Sequence, residues 1–208
     1  MSLGLIGKKV GMTKVYDENG VAIAVTVVDV SGNNIVQVKQ AAGPDGYAAV
    51  QVGYDDQRES RMSKPRLGHF KKHGSGPKRI VREFRMTGDD QLPAGDTPLG
   101  ADLFPVGAFV DVIGTTKGKG FQGAIMTHGS MMHRRTGSIG CRLTPGLVWK
   151  NQKMPGHDGV SRRTTQNLKV IQSRPEDGVL LISGSIPGSK GGYIIVRPAK
   201  KRPAVAAS

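Results

Sequence analysis

Cysteine occurs once, at Cys141, so no intrachain disulfide can tie this chain together. Aromatic residues make up 5% of the sequence and apolar residues only 37%, so part of the chain is expected to lie outside any core. No apolar run reaches the length of a membrane-spanning helix, and the opening MSLGLIGKK lacks the apolar segment of a secretory signal. These absences predict a soluble protein in a reducing compartment. Acids are scarce, 16 against 30 Lys and Arg, and the net charge is +14. Positive charge of that size repels itself unless a polyanion neutralises it. Nucleic acid is the leading partner. An anionic membrane surface is second, because no long basic amphipathic helix is present to lie on it. There is no internal repeat and no heptad pattern.

One long stretch, 115–163, also lacks any period of 2 or 3.6 and so has no apolar face to bury. A segment of this length without a core is either disordered or ordered by a partner. Its Lys117, Lys119, Arg134, Arg135, Arg142, Lys150, Lys153, Arg162 and Arg163 are set against one acid, Asp158, and it holds His128, His133 and His157. Glycine, frequent here, allows close backbone approach, and Lys and Arg seek phosphate. The segment reads as an RNA-penetrating arm inserted into a small β domain.

The flanks carry the strand signals. Residues 21–30 (VAIAVTVVDV) are rich in β-branched side chains and follow the turn Glu18-Asn19-Gly20. Apolar runs at 3–16, broken by Gly4, Gly7 and Gly11, and at 35–38 and 47–54 give further strands. Ile80, Val81 and Phe84 suggest another, 108–113 the next, then Leu168, Val170 and Ile171, then 179–182 and 193–196. Regular spacing with turn chemistry between strands indicates a sandwich or barrel. The expected fold is therefore mainly β, a single β-barrel domain over 1–114 and 164–200 with short helices. The inserted arm occupies 115–163, and a flexible tail 201–208. Residues 59–85 form a basic excursion with nine Lys or Arg against two acids. It contains a short helix capped by Ser63, with Pro65 in its first turn, ending near Gly74. A basic solvated loop and helix explains the charge of this excursion equally well. Residues 86–113 reverse sign, with five Asp and no Lys or Arg, and are expected to face away from RNA.

Several constellations invite an enzymatic reading. Gly118-Lys119-Gly120-Phe121-Gln122-Gly123 matches G-x-G-x-x-G, follows a strand and could open a helix. The acid expected about 20 residues further on is absent, which favours a Gly-Lys loop contacting phosphates over a dinucleotide site. His128, His133, Cys141 and His157 fit no compact metal spacing, and no nucleophile motif surrounds Cys141. Neither a metal, a cofactor nor a small-molecule substrate is expected. Phe121 and Trp149 could stack on unpaired bases or anchor the arm, and for Trp149, within LVW, the anchor is favoured. Met131, Met132 and Met154 read as adaptable packing.

The motifs then add up to a resemblance. Gly7-Lys8-Lys9-Val10-Gly11-Met12-Thr13, Gly68-His69-Phe70, residues 116–123 (TKGKGFQG) and Thr127-His128-Gly129-Ser130 stand in one order. His133-Arg134, Gly137-Ser138-Ile139-Gly140, Thr144-Pro145-Gly146, Lys153-Met154-Pro155-Gly156-His157 and Thr165-Gln166-Asn167-Leu168 follow. Over nearly its whole length the chain resembles the bacterial form of the large-subunit ribosomal protein L3 family. The resemblance implies a β-barrel similar to that of translation factors, and a long loop threaded through large-subunit (23S-type) rRNA toward the peptidyl transferase centre. It implies an early assembly role beside neighbouring ribosomal proteins, in a cytoplasmic or organellar ribosome, without catalysis by the protein. Expected rRNA-binding residues are Lys8, Lys9, Lys64, Arg66, His69, Lys71 and Lys72 on the domain. On the arm they are Lys117, Lys119, Phe121, His128, His133, Arg134, Arg135, Arg142, Lys150, Lys153, His157, Arg162 and Arg163. Two departures stand out. Fewer residues separate TKGKGFQG from Thr127 than is usual in the family, and Leu143 replaces a Gln that some relatives methylate. A non-ribosomal RNA-binding or RNA-chaperone barrel is the alternative.

Overall fold

The computed structural model describes residues 3–86, 98–123, 137–152 and 154–202. The chain divides into two compact units, Met1–Thr115 with Arg162–Ser208, and Thr116–Ser161.

In the first unit six strands close into a barrel: β1 (Leu5–Tyr16), β2 (Ala22–Asp29), β7 (Phe109–Thr115), β10 (Arg162–Arg174), β11 (Val179–Ser183) and β12 (Tyr193–Pro198). Every neighbouring pair in the ring β1-β12-β7-β10-β11-β2 is antiparallel, and β2 returns to β1. Closure leaves no unpaired edge in the ring. Its interior is filled by Leu5, Val28, Val112, Val170, Leu180 and Ile194, all buried. Each such side chain stabilises the fold by about 1.5–3 kcal/mol.

A second sheet has the order β5-β4-β3-β6, with β3 (Asn33–Lys39), β4 (Ala49–Asp56), β5 (Lys78–Arg85) and β6 (Pro98–Leu99). This differs from the single barrel expected for all the strands, and the reason lies in β1 and β12. Leu5 and Ile194 point inward, but their neighbours Ile6, Tyr193 and Ile195 are also apolar and point out. A barrel that is apolar on part of its outer face needs a cover. Ile35, Val50, Val52, Tyr54 and Phe84 of the second sheet supply it, packing with Ile6 into a second core.

Asn33, fully buried, ties the two sheets together. Its Oδ1 accepts from the Ile6 amide at 3.1 Å, and its Nδ2 donates to the carbonyls of Ile6 at 2.8 Å and Val30 at 2.7 Å. Gly7 lies inside β1, paired with Ile194, rather than at a break, and glycine is needed there because a Cβ would meet Val28 Cγ1 at 2.5 Å. The register shift between Lys9 and Gly11 is a bulge that bends the strand.

The helix of the basic excursion, α1 (Lys64–Lys72), has Pro65 in its first turn and Ser63 at its N-cap, although the Ser63 hydroxyl makes no cap bond. It ends at Gly74, where the Ser75 amide returns to the Phe70 carbonyl at 3.1 Å and the Gly74 amide to Lys71 at 3.3 Å. A 3₁₀ turn precedes it at Glu59–Arg61 and another stands at Ala101–Leu103. Asp111, in the sequence an acid of the negative stretch, is 1% exposed. It accepts from the Asn167 amide at 3.1 Å and sits 3.6 Å from Arg197. It is therefore a core fastener and not part of an acidic surface. Asp89, Asp90 and Asp96 of that stretch, and tail residues 203–208, lie outside the described residues.

In the second unit, β8 (Gly120–Gln122) and β9 (Gly156–Asp158) form a two-stranded antiparallel ribbon. Among the described residues, no helix is long and apolar enough to cross a membrane.

Candidate nucleic-acid interface

The ribbon is built from a sequence with no apolar alternation, so backbone bonds and turns hold it. The Thr116 amide donates to the Ser161 carbonyl at 3.0 Å, and the Ser161 amide returns to the Thr116 hydroxyl at 3.2 Å. The Lys119 amide then donates to the Asp158 carbonyl at 2.9 Å, and the Gln122 side chain donates to the Lys119 carbonyl. Gly159 is left-handed (φ +82°), and a Cβ on it would collide with the Lys117 carbonyl oxygen. Lys119 Nζ pairs with Asp158 at 3.0 Å, and this hydrogen bond and charge hold the Asp158 carboxyl below the usual carboxylate range. The sequence GKGFQG thus forms a strand of a ribbon and not a strand-to-helix turn, which removes the structural context of a dinucleotide fingerprint.

This geometry brings four expected site residues together. Phe121 and His157 are directly opposed across the ribbon, with Lys117 and Lys119 just before Phe121. All four are exposed, Phe121 to 77%. Farther along the unit, Arg142 and Lys150 are also exposed. Trp149 is 65% exposed and sits beside exposed Leu147 and Val148. Neighbours with no periodic apolar pattern give it no pocket within its own unit. Met154 is likewise exposed and packs little. Leu143, at 90% exposure, presents bare hydrocarbon. Cys141 is exposed, and amide donors at Leu143 and Thr144 lower its thiol pKa. His128, His133, Arg134, Arg135 and Lys153, with Met131 and Met132, lie outside the described residues. Among the described residues, no three His, Cys, Asp or Glu side chains are grouped to hold a metal.

Arg162 and Arg163, expected on the arm, instead open β10 in the barrel unit, paired with Thr115 and Gly114. The return strand is longer than its apolar residues Leu168, Val170 and Ile171 suggest, because its first residues are polar and mostly exposed.

On the barrel unit, Lys64, Arg66, Lys71 and Lys72 of α1 are exposed. Buried Phe70 and a 2.8 Å hydrogen bond between His69 and Gln51 of β4 hold the helix on the second sheet. Burial, then the nearby His69 and Lys72, lower the pKa of His73. Arg66 donates to the Arg79 carbonyl of β5 at 3.3 Å, so the charges of the helix and of Arg79, Arg82 and Arg85 lie on adjoining elements. Lys8 and Lys9 separate. Lys9 Nζ donates to the carbonyls of Ile186 at 2.9 Å and Gly188 at 3.2 Å, fastening the loop before β12 to β1. Lys8 is half-exposed on the same strand.

The sequence model of the family described as Ribosomal protein L3 matches residues 64–179. A protein of Akkermansia muciniphila named large ribosomal subunit protein uL3 is 55% identical over 212 residues, covering 97% of this chain and 100% of the relative. Relatives of the same name from Vibrio cholerae (48%, covering 96% of this chain and 99% of the relative) and Acholeplasma laidlawii (46%, 97% and 99%) match as widely. The chain belongs to the ribosomal protein L3 family. For an L3 family protein, exposed cations on a glycine-rich ribbon and on α1 are surfaces suited to phosphate, and exposed Phe121 and Trp149 are suited to bases. The family is structural and not enzymatic, so no catalytic constellation is required of these residues.

Proposed function

We propose that this chain is a structural constituent of the large ribosomal subunit that binds its rRNA, with two cationic surfaces. One is α1 with β5 on the barrel unit. The other is the Thr116–Ser161 unit, which extends toward the peptidyl transferase centre and shapes RNA there without supplying a general base or nucleophile. In this reading the protein joins the subunit early, beside neighbouring ribosomal proteins, in the cytoplasm. The observation that carries it is a compact unit with its own ribbon whose Lys117, Lys119, Arg142 and Lys150 are all exposed, in a chain matched along nearly its full length by proteins named uL3.

Phosphate contacts release counterions, so affinity for rRNA falls as salt rises. Removing charge at Lys117, Lys119, Arg134 and Arg135 together is expected to flatten the slope of log affinity against log salt by roughly 0.7–0.9 per lost contact. An unchanged slope would move the main electrostatic contact to α1 and β5. Gradient sedimentation separates the ribosomal reading from an RNA chaperone: a constituent travels stoichiometrically with the large subunit, a chaperone does not.

A further inference from the structure

The barrel unit carries a cleft of about 850 Å³ beside the edge strand β5, lined also by residues of β12 and the ends of β7 and β10. The size lies within the roughly 300–1,000 Å³ typical of ligand sites. Its accessible apolar lining comes from Ile195 and Pro198, above the buried Ile6, Phe84 and Ile113. Its cations are Arg82, Arg85, Arg162, Arg197 and Lys200, brought together from three distant parts of the sequence. Glu83 also lines it, but that carboxylate is 3.4 Å from Lys39 Nζ. Arg197 is 3.6 Å from buried Asp111. Among the described residues, Arg82, Arg85, Arg162 and Lys200 pair with no carboxylate.

An occupant must offer negative charge to the rim and apolar surface to the floor. An acidic peptide matches the rim, but its carboxylates bring no flat apolar face. A nucleotide out of its stack brings both, and single-stranded RNA is recognised by splaying bases onto apolar or guanidinium planes. We propose that this cleft binds one unpaired nucleotide of rRNA, with the base against Ile195 and Pro198 and the flanking phosphates on Arg82, Arg162 and Lys200. The proposal rests on the rRNA-binding reading above and adds a subsite to it. Sequence alone gives no signal for it, because Arg82 meets Arg162 and Lys200 only where the second sheet packs beside the barrel.

The test uses the full chain with bacterial large-subunit rRNA. Ultraviolet crosslinking with mass spectrometry should place a nucleotide on peptides covering 82–85 or 193–200. The double variant Arg82→Gln/Lys200→Gln changes two exposed side chains, and circular dichroism checks that it folds. It should lose that crosslink and make the salt slope shallower by roughly 1–2. A wild-type chain that binds rRNA, with no crosslink in these peptides and an unchanged slope in the variant, overturns the cleft alone. Crosslinks from these residues to protein, whether another chain or this one, overturn it as well. A wild-type chain with no salt-dependent rRNA binding overturns the broader reading together with the cleft.

Discussion

Asn33 replaces several main-chain bonds with one side chain, and its removal separates packing from polar satisfaction. Asn33→Leu keeps the volume but leaves the amide and carbonyl of Ile6 and the carbonyl of Val30 without that partner, inside the interface of two sheets. Unsatisfied buried groups cost about 1–3 kcal/mol each, relieved in part by relaxation, so a loss of about 3 kcal/mol is expected. Urea unfolding of the full chain measures it; a loss below about 1 kcal/mol would show that the sheets are held by Ile6, Val52 and Phe84 alone. Asp158 offers a pH test at the same scale. Its pKa is lowered in the folded chain by Lys119, so the pair contributes at pH values above the unfolded carboxyl value, near about 3.9. The contribution is lost as pH falls through the lower, folded value. A carboxyl-carbon NMR titration should show the lowered midpoint, and Lys119→Met or salt of about 1 M should return it toward the ordinary value. A midpoint indifferent to Lys119→Met would mean that the pair does not form in solution.

Among elements, the ribbon of β8 and β9 depends on backbone geometry more than on burial, since its side chains are largely exposed. Gly159→Ala forces a Cβ into the Lys117 carbonyl at a left-handed position, a strain of about 1–3 kcal/mol. Hydrogen exchange should accelerate at the Lys119 amide, which bonds to Asp158, and stay unchanged at the amides pairing β7 with β10. Equal acceleration in both would mean that ribbon and barrel open as one. The same contrast explains what was legible in the sequence. Strands with an apolar face, such as β2, β4, β11 and β12, announce themselves by β-branched runs between turns. Period 2 tells which face a residue takes but not which strand covers it, so the second sheet was not separable from the barrel. Exposed β8, β9 and the Arg162–Thr165 end of β10 carry no apolar signal at all. Their cations were readable as phosphate-seeking, whereas the assignment of Arg162 and Arg163 to the barrel needed the pairing with β7.

For the whole molecule, the decisive question is whether the chain between β8 and β9 serves folding or only RNA. All six barrel strands lie at 5–29, 109–115 and 162–198, outside this insertion. Deleting 124–154 and joining Gly123 to Pro155 through Asn-Gly leaves β8 and β9 with a short hairpin turn. Loop-closure entropy changes by only about 2 kcal/mol, in the stabilising direction. Urea unfolding should therefore give a barrel as stable as the full chain or slightly more so, still able to dock on rRNA through α1 and β5. Arg134, Arg135, Arg142, Lys150 and Lys153 are lost, so subunits reconstituted with this variant should assemble slowly or form peptide bonds poorly. Substituting Cys141 or His157 singly by Ala should be far milder. Catalytic sets behave in the opposite way, because loss of one member costs nearly as much as loss of all. If Cys141→Ala or His157→Ala abolished peptide-bond formation in correctly assembled subunits, the arm would be taking part in chemistry and its role as an RNA-shaping element would be wrong.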